Sequence, residues 1–305
     1  MATTGLYSPH VNHPEKRIAR NILLAVILIL FALLTLFPIF YMIMSSFGPA
    51  VATAGTSRSI FPRVWTLDSY KAFFSFSKYS VRWIVNSLIV ASATVAGNVI
   101  FASMAGYAFS KIRFKGRQWL FGLILVAMMI PYQVTQVPLY ILIANKLHMT
   151  NTYAAMILPG VVTSYNIFLA KQSFTSIPTP LIESAKLDGC NQLGIFVRII
   201  LPLSAPVLAS VSLFYAVSHW NSYFNAMLYI NNSDMEVITI VLRRLVFLTT
   251  QVAEDSTFDW GAAGMPPIKA VKMATTVLST LPILCIYPFV QKFFTQGVMV
   301  GSVKG

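Results

Sequence analysis

Six stretches of this 305-residue chain contain no Asp, Glu, Lys or Arg: 21–47, 83–110, 118–145, 153–170, 199–233 and 273–291. A helix needs about 20 residues to cross the hydrocarbon core of a bilayer, so all six are long enough or nearly so, with 153–170 and 273–291 minimal. Lipid offers a backbone no hydrogen-bonding partner, and runs of this length satisfy themselves as helices. The pattern predicts an all-α membrane protein with spans at about 21–47, 83–110, 118–145, 153–170, 203–230 and 273–291. A tail of residues 1–20 precedes them, a loop of 171–202 joins the fourth and fifth, and a tail of 292–305 closes the chain. The first run follows Lys16, Arg17 and Arg20 and extends for 27 uncharged residues without a small-residue cleavage site. It is longer than a signal-peptide core and is expected to stay as a span.

Composition agrees: 56% of residues are hydrophobic and 10% charged, and the mean hydropathy is +0.70, outside the range of ordinary soluble domains. In a soluble protein the net charge of +13 would suggest nucleic acid. Here the basic residues sit in short segments between apolar runs, and the positive-inside rule explains them without a nucleic-acid partner. Lys16, Arg17 and Arg20 precede the first span, and Lys111, Arg113, Lys115 and Arg117 fill the second connection. Six crossings then put both termini in the cytoplasm, with loops 111–117 and 171–198 inside and loops 48–82, 146–152 and 234–272 outside. On this assignment 12 of the 22 Lys and Arg lie inside with three acidic residues, against ten outside with six, an excess of +9 against +4.

Prolines 38, 131, 138, 159, 206, 282 and 288 fall in or beside the apolar runs, so kinked spans are expected, as in transporters and channels. Asn86, Asn98, Gln133, Gln136, Asn166, His219, Asn221 and Asn225 bring hydrogen-bonding groups to membrane depth. They read either as links between helices or as pore-lining groups. No run carries an acidic proton relay, which counts against a proton-driven carrier. The sequence lacks GxxxxGK[ST], HExxH, GxSxG and CxxC, so no catalytic residue is expected and the driving energy must come from elsewhere. His10, His13, His148 and His219 are scattered, giving no metal site. Cys190 and Cys285 fall in a polar loop and an apolar run and are expected to be free thiols.

The connection after the fourth run has its own design. Thr179 followed by Pro180 predicts the start of a short helix capped by the threonine hydroxyl. Asp188-Gly189 predicts a turn with positive φ at the glycine. Leu193, Phe196, Val197, Ile200 and Leu201 then recur at helical spacing, predicting an apolar stripe on a second helix that runs into Pro202.

Within this loop Glu183, Ser184, Ala185, Gly189, Ile199, Leu201 and Pro202 match, at each fixed spacing, the "EAA" signature of bacterial ABC importer permeases; Ser184 stands where alanine is usual. The chain resembles that family, and the resemblance implies a type I permease fold in a bacterial inner membrane, with this loop as the coupling helix that docks on an ATP-hydrolysing subunit. Glu183, Ser184, Ala185, Asp188, Gly189, Ile199, Leu201 and Pro202 would carry the coupling. The six-run layout, the long loop before the last run and the closing segment from Pro288 to Gly305 resemble the smaller permease of maltose-type carbohydrate importers over residues 15–305. Implied partners are a second permease completing a heterodimeric pore, two ATPase subunits holding ATP and Mg, and an external solute-binding protein. This chain would bind no cofactor itself. Its last part, Gln291–Gly305, is also similar to importers of oligosaccharides from polysaccharide breakdown, alginate or pectin among them. Two alternatives stay open: the same kind of permease for another solute, such as glycerol phosphate or a peptide, and a channel or ion-coupled carrier.

The loop 234–272, with Arg243, Arg244, an acidic stretch of Glu254, Asp255 and Asp259, and Trp260, is the expected contact for the binding protein. By the same resemblance, the tail Thr295–Gly305 reaches into the ATPase pair.

Overall fold

The computed structural model describes residues 14–48, 61–62, 64–254 and 268–302, and among them all regular structure is helical. The first helix, α1 (Pro14–Ser46), has an apolar window of which none is buried; it lies mainly along the last helix, α14 (Ile268–Ser302). A helix apolar all round needs lipid or another apolar surface to cover it. After the short α2 (Asp68–Phe76) comes α3 (Ser80–Lys111), 32 residues without a break. Its buried face is small and polar, including Ser87, Ala91, Thr94, Asn98, Ala102, Ser103 and Gly106. Small side chains let neighbouring helices approach closely. At Gly106 a Cβ would lie 2.6 Å from Ala170 Cβ and 2.9 Å from the Lys171 backbone nitrogen, so glycine is what permits the contact.

The next apolar runs are bent. Residues 117–146 form α4 (Arg117–Met129) and α5 (Tyr132–Tyr140), the latter extended by a π-helical turn at Ile141–Lys146, with a 96° bend between them. Pro131 explains the break: it lacks an N–H and forces the preceding Ile130 into the extended conformation seen there. Pro138 lies inside α5 without ending it. The fourth run forms α6 (Tyr153–Val161) and α7 (Ser164–Thr175), bent by 43° at Val162–Thr163 rather than at Pro159. Then follow α8 (Thr179–Leu187) and α9 (Gln192–Ile195), which passes through a π-helical turn, Phe196–Ile200, into α10 (Leu201–Leu203). The chain turns by 77° into α11 (Ala205–Asn221), breaks at Ser222–Tyr223, and continues as α12 (Phe224–Tyr229), α13 (Ile238–Glu254) and α14.

Among the described residues three helices, α1, α3 and α14, are long and apolar enough to cross a membrane, and up to six spans result if each bent pair is one. Three expectations change. The fourth run stays helical to Thr175, five residues past the expected span end. The last helix continues through the expected tail to Ser302, while residues 303–305 lie outside the described residues. The expected outer loop carries α13, because Ile238, Val241 and Leu245 recur at i, i+3, i+7 and bury against Phe73, Trp83, Trp220 and Val271. Burying each such side chain contributes about 1.5–3 kcal/mol, enough to hold a helix despite the charges of Arg243 and Arg244. Asp255, Asp259, Trp260 and the side chain of Glu254 lie outside the described residues.

Candidate functional site

Two regions carry the chemistry, a projecting helix–turn–helix at one end of the bundle and a cavity among the helix breaks. In the first, α8 starts one residue earlier than the threonine-cap reading, with Pro178 in the extended conformation at the cap position and no side-chain cap. Proline's preset φ makes that entry unaided, so the Thr179 hydroxyl is not the cap. The turn matches the expectation: Gly189 has φ +81. The Cys190 N–H donates to Ala185 O at 2.9 Å and the Gly189 N–H to Lys186 O at 3.1 Å. This is the Schellman pattern, in which a left-handed residue lets the chain return on its last carbonyls. Asn191 caps α9, its Oδ1 accepting from the Gly194 N–H at 2.7 Å.

Ile182 and Ala185 on α8 and Ile195, Phe196 and Ile200 beyond the turn bury against Tyr107, Ala170, Phe174 and Ile177. The stripe is therefore displaced from the expected one. Phe196 and Ile200 face inward, Leu201 and Ile199 pack at the edge, and Leu193 and Val197 are exposed on the other side. Starting a regular helical count at Leu193 put these two on the wrong face. The end of α3 grips the projection: the Tyr107 hydroxyl donates to Gln192 Oε1 at 2.7 Å, its ring lies 5.2 Å from that of Phe196, and Lys111 Nζ donates to Ile177 O at 2.6 Å. The signature residues thus divide. Ala185, Ile199 and Leu201 join the core, Gly189 makes the turn, and Glu183, Ser184, Asp188 and Pro202 are exposed beside Leu187, which is 90% exposed. The Ser184 hydroxyl is used internally, donating to Pro180 O at 2.9 Å. A Cβ on Gly189 would meet open space within this chain, so the glycine is required by its φ alone.

The second region is a cavity of about 610 Å³ at which the breaks α4–α5, α6–α7 and α11–α12 converge. Ile130, Tyr132 and Thr135 come from the first, Pro159, Gly160, Val162, Thr163, Ser164 and Tyr165 from the second, and Tyr215, Ser218, His219, Ser222 and Asn225 from the third. Among the described residues no Asp, Glu, Lys or Arg lines it. Side chains from distant helices hold the breaks open. Asn98 Nδ2 donates toward Gly160 O at 3.2 Å, Val161 O at 3.3 Å and Thr163 Oγ1 at 3.2 Å. The Tyr215 hydroxyl donates to Gly160 O and its ring meets His219 edge-on at 4.5 Å, while the Tyr132 hydroxyl donates to Asn225 Oδ1 at 2.9 Å. The carbonyls freed by a bent helix thus find partners within the protein, as membrane depth requires. A Cβ on Gly160 would lie 2.5 Å from Thr94 Cγ2 and 2.6 Å from His219 Cε1, so only glycine fits.

Of the polar residues singled out in the sequence, His219 and Asn225 line this cavity. Asn166 donates to Asn98 Oδ1 at 2.5 Å and borders an adjoining pocket of about 260 Å³. Gln133, Gln136 and Asn221 are absent from the lining, and Tyr132 and Thr135 represent α5 in their place. Asn86 is fully buried elsewhere: Nδ2 donates to Asp234 O at 2.9 Å and Glu236 O at 2.8 Å, and Oδ1 accepts from the Tyr153 hydroxyl at 2.7 Å. It links helices instead of facing a pore, because every one of those partners is internal. Sequence reasoning missed the hydroxyl groups of Thr163, Ser164, Tyr165, Tyr215, Ser218 and Ser222. Their signal was a cluster of hydroxyls beside Gly160 and in the segment Ser218–Tyr223. On α13, Arg244 pairs with Glu236 at 2.5 Å and Arg243 lies 4.9 Å over the Tyr223 ring, at the α11–α12 break.

Residues 98–300 match the family model described as binding-protein-dependent transport system inner membrane component. Protein LplC of Bacillus subtilis (strain 168) is 39% identical over 272 residues, covering 89% of this chain and 90% of the relative. The polygalacturonan/rhamnogalacturonan transport system permease protein YtcP of the same organism is 36% identical over 278 residues, covering 91% and 96%. Among solved structures, a chain of a bacterial ABC transporter involved in the import of the acidic polysaccharide alginate superposes with a TM-score of 0.77 at 27% identity, covering 95% of this chain and 100% of that one.

Proposed function

This chain belongs to the family of binding-protein-dependent transport system inner membrane components, and from that premise we propose that it forms one half of the pore of an ATP-driven importer for oligosaccharides. It is a permease subunit and not an enzyme. A second, homologous permease supplies the other half, two ATPase subunits hydrolyse Mg-ATP, and an external binding protein delivers the sugar. The observation that carries the reading is the rigid, exposed helix–turn–helix bearing Glu183 and Gly189, gripped by α3 at one end of a bundle whose broken helices open a polar cavity. In this reading the α8 end faces the cytoplasm, both termini lie there, and the chain crosses six times.

The roles then follow from position. The exposed face of Glu183, Leu187 and Asp188 docks on the ATPase, with Gly189 fixing its angle and Ala185, Ile199, Leu201 and Pro202 seating it. The last residues of α14 and the following tail reach the ATPase pair. At the other end, α13 with Arg243 and Arg244 faces the binding protein. Tyr132, Tyr165, Ser218, His219 and Asn225 contact the passing sugar. A lining of hydroxyls, amides and aromatic rings suits pyranose faces and hydroxyls. The similarity to permeases named for polygalacturonan and alginate makes oligosaccharides of uronic acids the substrates of choice, their carboxylates being met by the partner half or the binding protein.

The test is ATP hydrolysis by the assembled complex with its binding protein, across oligogalacturonate, alginate oligosaccharide, maltotriose and glycerol 3-phosphate. Stimulation by a uronate oligosaccharide supports the proposal. Stimulation by glycerol 3-phosphate alone would overturn the sugar assignment.

A further inference from the structure

One helix touches every part that the import cycle must move. At one end of α3, Trp83 Nε1 donates to Ser233 O at 2.7 Å, Asn86 holds the carbonyls of Asp234 and Glu236, and Ser87 Oγ accepts from the Ile238 N–H at 2.9 Å. These bonds fix the segment that leads into α13. Midway, Asn98 holds Gly160, Val161 and Thr163 at the break lining the cavity. At the far end, Tyr107 and Lys111 hold both sides of the projecting loop. Asn86 and Tyr107 are separated by 21 residues, about 30 Å of helix at ~1.5 Å per residue. The helix between them has no break and no proline, so a displacement at one end is carried to the other and is not absorbed at a kink.

We propose that α3 is the transmission rod of the importer, coupling the binding-protein side, the cavity and the ATPase-docking loop through polar clamps centred on Asn86, Asn98 and Tyr107. Bundle helices commonly pack through apolar surface, which tolerates sliding. The α3 clamps are directional hydrogen bonds to backbone groups of other segments and, at Tyr107, to the Gln192 side-chain carbonyl, which fix register as well as proximity. The proposal rests on the importer reading above.

Single hydroxyl deletions test it without altering packing. Tyr153→Phe removes the donor to Asn86 Oδ1 at one end, and Tyr107→Phe removes the donor to Gln192 at the other while keeping the ring on Phe196. Tyr70→Phe is the control: it removes an interhelical hydroxyl contact of the same length, 2.7 Å to Ser46 Oγ, that does not involve α3. In the complete complex in nanodiscs, both α3 variants should keep basal ATP hydrolysis within about twofold. Stimulation by loaded binding protein should fall about three- to fivefold in both, and Tyr70→Phe should match wild type. Wild-type stimulation in both α3 variants, equal loss in the control, or a parallel fall of basal and stimulated rates would overturn the rod. Failure of the importer reading is distinct, since the wild-type complex itself would then show no stimulation.

Discussion

The hydrogen bonds within the α8–α10 projection join residues three to five apart, with Tyr107 and Lys111 holding it from α3, whereas those that shape the cavity join residues 55 to 93 apart. The projection is exposed and bears charges at Glu183, Lys186 and Asp188; among the described residues the cavity has no charged residue in its lining. On the proposed function, the difference follows from what each region must do. A docking element must keep its shape while meeting another protein, and local bonds around one glycine turn provide that. A sugar path must change width, and breaks in three helices, tied by bonds across the bundle, give it parts that can shift against each other. A change inside the cavity should therefore act on transport and leave ATPase docking intact, while a change in the projection should act on ATPase docking first and on transport only through it.

The largest effect is expected from Gly160→Val. Its side chain would overlap Thr94 and His219, and overpacking of this kind costs typically about 1–3 kcal/mol, occasionally more. Sugar uptake should fall by roughly 100-fold, while ATPase subunits still co-purify in wild-type amount. Loss of both together would erase the distinction between the regions.

Next comes Gly189→Val, which places a β-branched residue at φ +81. Strain of roughly 1–2 kcal/mol should weaken ATPase retention about tenfold or uncouple hydrolysis from uptake, with membrane insertion unchanged. Wild-type retention and coupling would remove the projection from the docking role.

The two regions also differed in how far the sequence revealed them. Gly189, the turn and the exposed Glu183 were legible because their determinants are neighbours in the chain. The stripe after the turn was misread by a face, since Leu193 and Val197 are as apolar as Phe196 and Ile200 and only the packing of Tyr107 and Phe174 selects between them. The cavity was legible in two residues, His219 and Asn225. Asn86 and Asn98 gave the same polar signal at membrane depth, and their partners, backbone carbonyls released at distant turns and breaks, have no sequence signature. The apolar runs announced spans and their prolines announced kinks, but not where: Pro131 breaks its run while Pro138 and Pro159 stay inside helices, and α13 was hidden by the arginine pair within its periodic pattern.

Tyr165→Ala should have a smaller effect. It removes a ring that is 58% exposed within the lining and bonds no other cavity residue among the contacts described above. Losing about 1 kcal/mol of ring contact should raise the sugar concentration for half-maximal uptake about fivefold, with ATPase retention unchanged. An unchanged concentration dependence would place the sugar on the partner half alone.

Glu183→Ala should be the mildest of the four. One exposed charge meeting a cation on the ATPase changes association by about two- to fivefold, more at low salt than at high. Titrating ATPase binding against ionic strength measures this, and a variant with the wild-type salt dependence would make Glu183 a bystander.

The central claim is that the complex moves an oligosaccharide inward through this chain when ATP and a loaded binding protein are both present. Proteoliposomes holding the permease pair and its ATPases, with labelled oligogalacturonate and binding protein outside and Mg-ATP arranged on the ATPase side, measure it directly. The account predicts uptake that requires both ATP and binding protein and falls roughly 100-fold in Gly160→Val. Uptake at the same rate without ATP, or without the binding protein, would contradict it.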